Sequence, residues 1–151
     1  MITIATFAER LLVCDNREMN AINYLELIRN ADVYDVAIKS PLELASALSK
    51  RANNRILMKR EDLQPVFSFK LRGAYNKIAN LSDDELAKGV ICSSAGNHAQ
   101  GVALAAKKRG VRAVIVMPVT TPPIKVDAVH ALGGEVLLSG NAYDDAYEYA
   151  R

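Results

Sequence analysis

Lys59-Arg60-Glu61-Asp62-Leu63-Gln64-Pro65-Val66-Phe67-Ser68-Phe69-Lys70-Leu71-Arg72-Gly73-Ala74-Tyr75-Asn76-Lys77 is the stretch around which the chain is arranged. It leaves an apolar strand at Ile56, Leu57 and Met58, crosses a loop at Pro65 and enters a helix near Ser68. Ser68 suits an N-cap, because a hydroxyl can accept one of the orphan amide protons of a first helical turn. Lys70 then falls in that first turn, where the helix dipole disfavours a cation. The misfit suggests a lysine wanted partly neutral, and a neutral amine is a nucleophile able to form a Schiff base. On position alone, a solvated surface lysine at a helix start is the commoner reading.

Downstream of this stretch, short apolar segments alternate with helical patterns. A helix over Phe69–Asn80 is followed by Ser82-Asp83-Asp84-Glu85, a capping box opening a short helix that stops before Gly89. Val90–Ser93 reads as a strand. Asn97–Arg109 reads as a helix with Ala99, Val102, Ala103 and Ala106 on one face and Gly110 at its C-cap. Ala113–Met117 is a strand, Pro122–Leu132 a helix ended by Gly133-Gly134, and Glu135–Leu138 a strand. From Ala142 a last helix should bury Ala142, Tyr143, Ala146, Tyr147 and Ala150. Together with Arg55–Lys59 these strands are apolar and each precedes a helix. That pattern implies an α/β fold, an open parallel sheet flanked by helices on both faces.

Upstream the signals are weaker. Met1–Met19 has no period and reads as a weakly ordered lead-in, whereas Ile22, Leu25 and Ile28 mark one helix face within Asn20–Asn30. Asp32–Ala37 is a connector. Ser40-Pro41-Leu42-Glu43 resembles a capping box with proline at the first helical position, opening a helix that is secure over Glu43–Ala52. The division this suggests is a helical N-terminal segment, 1–54, and an α/β unit, 55–151. The last helix lacks a C-cap glycine or a proline when the sequence stops at Arg151, so the chain reads as a truncated chain or fragment.

Composition narrows the function classes. A net charge of +2 is too small to imply a nucleic-acid or membrane surface. No apolar run approaches the ~20 residues of a membrane span. Cys14 and Cys92 match no metal or redox spacing. Cys92 lies in a strand pattern and suits a buried free thiol in a reducing cytoplasm. No Gly-x-Gly-x-x-Gly follows a strand, which weakens a dinucleotide-binding reading. A folded module without chemistry of its own is the remaining rival.

A second site lies at Ser93-Ser94-Ala95-Gly96-Asn97-His98, between the carboxyl end of a strand and a helix start. Open α/β sheets bind ligands at that edge, and free helix amides favour anions. Many strand-to-helix turns share some of these residues.

Read together, Ser68-Phe69-Lys70-Leu71-Arg72-Gly73-Ala74 and Ser94-Ala95-Gly96-Asn97-His98-Ala99-Gln100-Gly101 resemble the threonine dehydratase family. Lys59–Val66 is closer to its biosynthetic branch. The likeness runs from about Asp32 to Arg151. It implies a fold-type-II enzyme of the tryptophan-synthase-β fold, with pyridoxal 5'-phosphate as cofactor. Lys70 would be the catalytic lysine that holds the cofactor, and Phe69 would pack near the cofactor ring. Ser94, Ala95, Gly96, Asn97 and His98 would grip the substrate carboxylate, with Asn97 also reaching the cofactor. His98 would stabilise the loop rather than exchange protons, and His130 would be solvated.

The resemblance also implies an extended segment around Pro41-Leu42, in tension with the capping box. Related serine racemases carry a second serine where this chain has Ala95, which favours dehydration over racemisation. The family's glycine-rich phosphate loop has no counterpart here. It belongs to a later, larger domain that part of 1–54 would join, and residues 1–151 alone should be inactive. The complete enzyme would convert L-threonine to 2-oxobutanoate and ammonia for isoleucine biosynthesis, with L-serine as a secondary substrate. It would be a homo-oligomer in the cytoplasm, or in a plastid in a plant.

Overall fold

A computed structural model describes residues 2–3 and 23–151 of the chain. The lead-in read at Met1–Met19, apart from the backbone at 2–3, lies outside the described residues together with Cys14 and Ile22. In chain order the elements are β1 (Ile2–Thr3), α1 (Tyr24–Arg29), β2 (Leu42–Leu44), α2 (Ser46–Ala52), β3 (Leu57–Lys59), α3 (Lys70–Ala79), α4 (Asp83–Ala87), β4 (Val90–Ser93), α5 (Asn97–Arg109), β5 (Ala113–Met117), α6 (Pro123–Ala131), β6 (Glu135–Leu138) and α7 (Tyr143–Ala150). Single 3-10 turns occupy Val33–Asp35 and Glu61–Leu63.

The main sheet is parallel with strand order β1-β4-β5-β6. Val90 pairs with Ala113, and Val114 with Glu135. α5 joins β4 to β5 and α6 joins β5 to β6, the crossover helices that parallel neighbours use. Side chains alternate across a strand, so β4 and β5 each feed two cores. Val90, Cys92, Ala113, Ile115 and Met117 pack against Tyr75, Ile78, Ala99, Val102, Ala106 and Val129 from α3, α5 and α6. Ile91, Val114 and Val116 face the other way, onto Ala146 and Ala150 of α7. All residues of β4 and β5 are buried. The sheet is therefore covered on both faces at β4 and β5, and the α/β class read from the sequence holds.

The predicted stops also hold. Ser82 and Glu85 complete their capping box at the start of α4. Gly110 closes α5 at φ +68, a backbone state that a side chain would strain. Ala99, Val102, Ala103 and Ala106 are all buried. Cys92 is a buried free thiol, and burial pushes its pKa up to about 12.

Several expectations are corrected. Ser40-Pro41-Leu42-Glu43 opens no helix: Leu42–Leu44 is a strand paired antiparallel with Leu57–Lys59, and the helix begins only at Ser46. Long-range partners draw Ser40 away from a cap. Its hydroxyl donates to Glu61 Oε1 (2.5 Å), and its carbonyl accepts from Lys59 Nζ. The extended segment implied by the family resemblance is the one found.

The strand read at Arg55–Lys59 thus belongs to a separate two-stranded sheet, not to the parallel one, and its two strands, with α2 between them, lie on either side of residue 54. As an edge strand, β6 leaves Leu137 and Leu138 exposed rather than covered. The apolar side chains of α1 are exposed too, and none of its residues is buried. On α7, Tyr143 is exposed and only Ala146 and Ala150 are buried.

Candidate active site

The route into α3 is built residue by residue. After β3 the chain makes the 3-10 turn Glu61–Leu63, and Gln64 follows, 1% exposed. A buried amide is costly unless hydrogen-bonded, and Gln64 meets this with both ends. Ile38 N–H donates to its Oε1 (2.9 Å), while its Nε2 donates to the Ile38 carbonyl (2.8 Å). The Gln64 carbonyl then accepts from Phe67 N–H (2.8 Å), closing a turn over Pro65 and Val66. Phe67 sits at φ +55, a conformation that costs a bulky residue about 1–3 kcal/mol.

Ser68 Oγ accepts from the Lys70 amide (3.2 Å), so the hydroxyl does serve the first turn. The helix itself starts one residue later than read, with Phe69 as its boundary and Lys70 as its first residue. Lys70 is exposed, with Nζ 5.4 Å from the centroid of the Phe69 ring, and Phe69 is itself exposed.

Two residues further, Arg72 forks onto Glu61, its Nε donating to Oε2 (2.8 Å) and its Nη2 to Oε1 (3.0 Å). The Arg72 guanidinium, helped by hydrogen bonds from Ser40 and Gln64, holds the Glu61 carboxyl at about 2 against the opposing effect of desolvation. The sequence reading missed this cluster. Its partners are separated by up to 34 residues, as from Arg72 Nη2 to the Ile38 carbonyl, and no local pattern announces them.

The second predicted loop begins at the carboxyl end of β4. Ser94 N–H donates to the Val116 carbonyl (3.1 Å), extending the pairing with β5, and Ser94 Oγ accepts from Gly96 N–H (3.4 Å). Ser94, Ala95, Gly96 and His98 are half-buried and Asn97 is exposed. Gly96 is the N-cap of α5 and offers no side-chain cap, so the first-turn amides of this long helix lack partners. Ser93 Oγ and His98 Nε2 are buried without a partner as well. His98 has its proton affinity lowered, by burial first and then by the charge of Lys70. His130 is exposed, with Nδ1 3.2 Å from the Gly134 carbonyl.

The two stretches meet across α3 and α5. A Cβ placed on Gly101 would lie 3.2 Å from the Leu71 amide and 3.3 Å from the Lys70 carbonyl carbon. The glycine lets α5 approach the backbone that carries Lys70. Gly133-Gly134, the one adjacent glycine pair, ends α6, and Gly134 packs against Val129 and Ala103. Among the described residues no cluster of His, Cys, Asp or Glu is arranged to hold a metal ion.

Comparison with known proteins places this geometry. Residues 33–151 match the family of pyridoxal-phosphate dependent enzymes. The biosynthetic, chloroplastic threonine dehydratase of Arabidopsis thaliana is 64% identical over 131 residues, covering 87% of this chain and 22% of the relative. The processed form of threonine deaminase isoform 2 from Solanum lycopersicum has a TM-score of 0.81 at 61% identity, over 84% of this chain and 35% of that one. Maize serine racemase is more distant, with a TM-score of 0.76 at 36% identity over 82% of this chain and 38% of its own. The chain thus spans about a fifth of the length of the Arabidopsis relative. Fold and matched residues agree, and the chain belongs to the pyridoxal-phosphate dependent enzyme family.

Proposed function

We propose that this chain provides the cofactor-lysine portion of a threonine dehydratase, which converts L-threonine to 2-oxobutanoate and ammonia and treats L-serine likewise to give pyruvate. One observation carries the reading: Lys70 opens α3 where Gly101 of α5 lies against its backbone, beside the uncapped start of α5. The residues fit the cofactor. Lys70 is an exposed primary amine, and Ser93 Oγ and His98 Nε2 are buried polar atoms without partners near the same sheet edge.

Pyridoxal phosphate, when bound, supplies an electron sink for the charge left on the α-carbon of an amino acid. Lys70 would hold it covalently and, once released, take the α-proton on Nζ. Phe69 would pack by the cofactor, and Asn97 would hydrogen-bond to it. The substrate carboxylate would be held by Ser94, the backbone at Ala95 and Gly96, and the free amides of Asn97 and His98. These contacts orient the Cα–H bond toward the lysine, so that reaction does not depend on chance encounter. His98, with its proton affinity lowered, supports the loop.

Dehydration is preferred to racemisation because Ala95 has no proton to exchange on the opposite face. In this reading residues 55–151 form the smaller α/β domain, part of 1–54 joins a larger one, and the full enzyme is a homo-oligomer. It would act in isoleucine biosynthesis, in the cytoplasm or a plastid. The test is to follow the full-length protein with pyridoxal phosphate and threonine, measuring 2-oxobutanoate and ammonia in equal amounts. Lys70→Ala should abolish turnover, and the unmodified protein should not interconvert D- and L-serine. Ready racemisation, or turnover that survives Lys70→Ala, would sink the reading.

A further inference from the structure

We propose that Gln64 is a positioning residue for Lys70, its amide fastening the turn that aims the lysine to the backbone of Ile38. The inference rests on the reading of Lys70 as the cofactor lysine. Gln64 is 1% exposed; two residues on, Val66 is fully buried, packed with Ala37 and Leu71, and the Gln64 amide also lies 3.3 Å from the Glu61 carboxylate. An apolar side chain of similar size would serve a core there. The amide instead imitates a peptide unit, exchanging two hydrogen bonds with a residue 26 positions away.

The consequences run toward Lys70. Gln64 is also the first residue of the turn closed by Phe67 N–H, and that turn holds Phe67 at φ +55. A bulky residue keeps such a conformation only where its surroundings over-determine it. Ser68 then receives the Lys70 amide.

On the far side of Lys70, Arg72 reaches back to Glu61 and, through Nη2, to the same Ile38 carbonyl (3.3 Å). Glu61 in turn accepts from Ser40. Residues 64 and 72 therefore bracket Lys70, and both are tied to the segment Ile38–Ser40. Gly101 closes the third side. Lys70 is long and exposed, so the backbone beneath it sets where its amine starts. A displacement of about 1 Å from reacting geometry can cost about a hundredfold in rate.

The experiment uses the full-length protein and the variants Gln64→Leu and Gln64→Asn. Gln64→Leu removes both hydrogen bonds to Ile38 and those from Nε2 to Glu61; Gln64→Asn keeps an uncharged amide but is one methylene too short to reach both Ile38 groups. Four quantities are read: thermal unfolding, the borohydride-fixed pyridoxyl group at Lys70, the pH midpoint of the cofactor's visible absorbance, and kcat with KM for threonine. For Gln64→Leu the account expects labelling at Lys70 as in the parent, kcat lower by about tenfold or more, KM within about threefold, and a displaced pH midpoint.

Gln64→Asn should lose less and move the midpoint in the same direction. It decides the matter alone if Gln64→Leu does not fold. Folded variants with kcat within about twofold of the parent and an unmoved midpoint overturn the proposal. If the parent is labelled at another lysine, the cofactor reading fails first, a result distinct from failure of the positioning role.

Discussion

At the scale of single residues, Glu61 is where electrostatics and packing are most tightly joined. Its carboxyl is held at about 2, against an ordinary value of 4.5, chiefly by the Arg72 guanidinium. A carboxyl depressed in the folded state contributes stability that is present above the unfolded value. That stability is lost as the pH falls through the folded one, here from about 4.5 down to about 2. Glu61→Gln should lower stability by about 2–3 kcal/mol at neutral pH and flatten the loss over that acid window. Denaturant unfolding at a series of pH values measures both, and an unchanged acid slope would show that the fork is not coupled to folding. His98 acts in a separate window: its lowered proton affinity makes the unfolded state the better base, so its contribution fades as pH falls below about 6.5.

At the scale of elements, the contact of α3 with α5 fixes the distance between the lysine and the loop. Gly101→Val would press a branched side chain into backbone atoms of Lys70 and Leu71, which cannot swing away as a side chain could. The expected cost is about 1–3 kcal/mol in stability, with a lower affinity for pyridoxal phosphate. Unchanged unfolding and cofactor titration would mean that the helices separate without consequence. Most of this architecture was legible in the sequence. β4, α5 and β5 announce themselves because uniformly apolar strands alternate with a helix closed by Gly110, and the start of α4 follows from its Ser82–Glu85 capping box. β2 was not, because Ser40-Pro41 offers the same groups to a helix cap and to distant partners, and only Glu61 and Lys59 decide between them. The bridge from Gln64 to Ile38 was invisible for the same reason, since nothing in a 26-residue separation fixes a pairing.

At the scale of the whole molecule, two cores on opposite faces of one sheet enclose β4 and β5; the Ser94–His98 loop leaves β4 directly, and α3, which carries Lys70, packs on the same sheet. Away from it, Leu42, Leu44, Leu57 and Met58 of the paired strands β2 and β3 and Tyr24, Leu25 and Ile28 of α1 are exposed. Lys70 is exposed at the margin of this frame rather than buried in its core. If Lys70 carries the cofactor, borohydride treatment of the full-length protein with pyridoxal phosphate must leave one pyridoxyl group per chain, on the peptide containing Ser68-Phe69-Lys70-Leu71. Peptide mapping that finds the group on Lys59, on Lys77 or on no lysine at all would contradict the account.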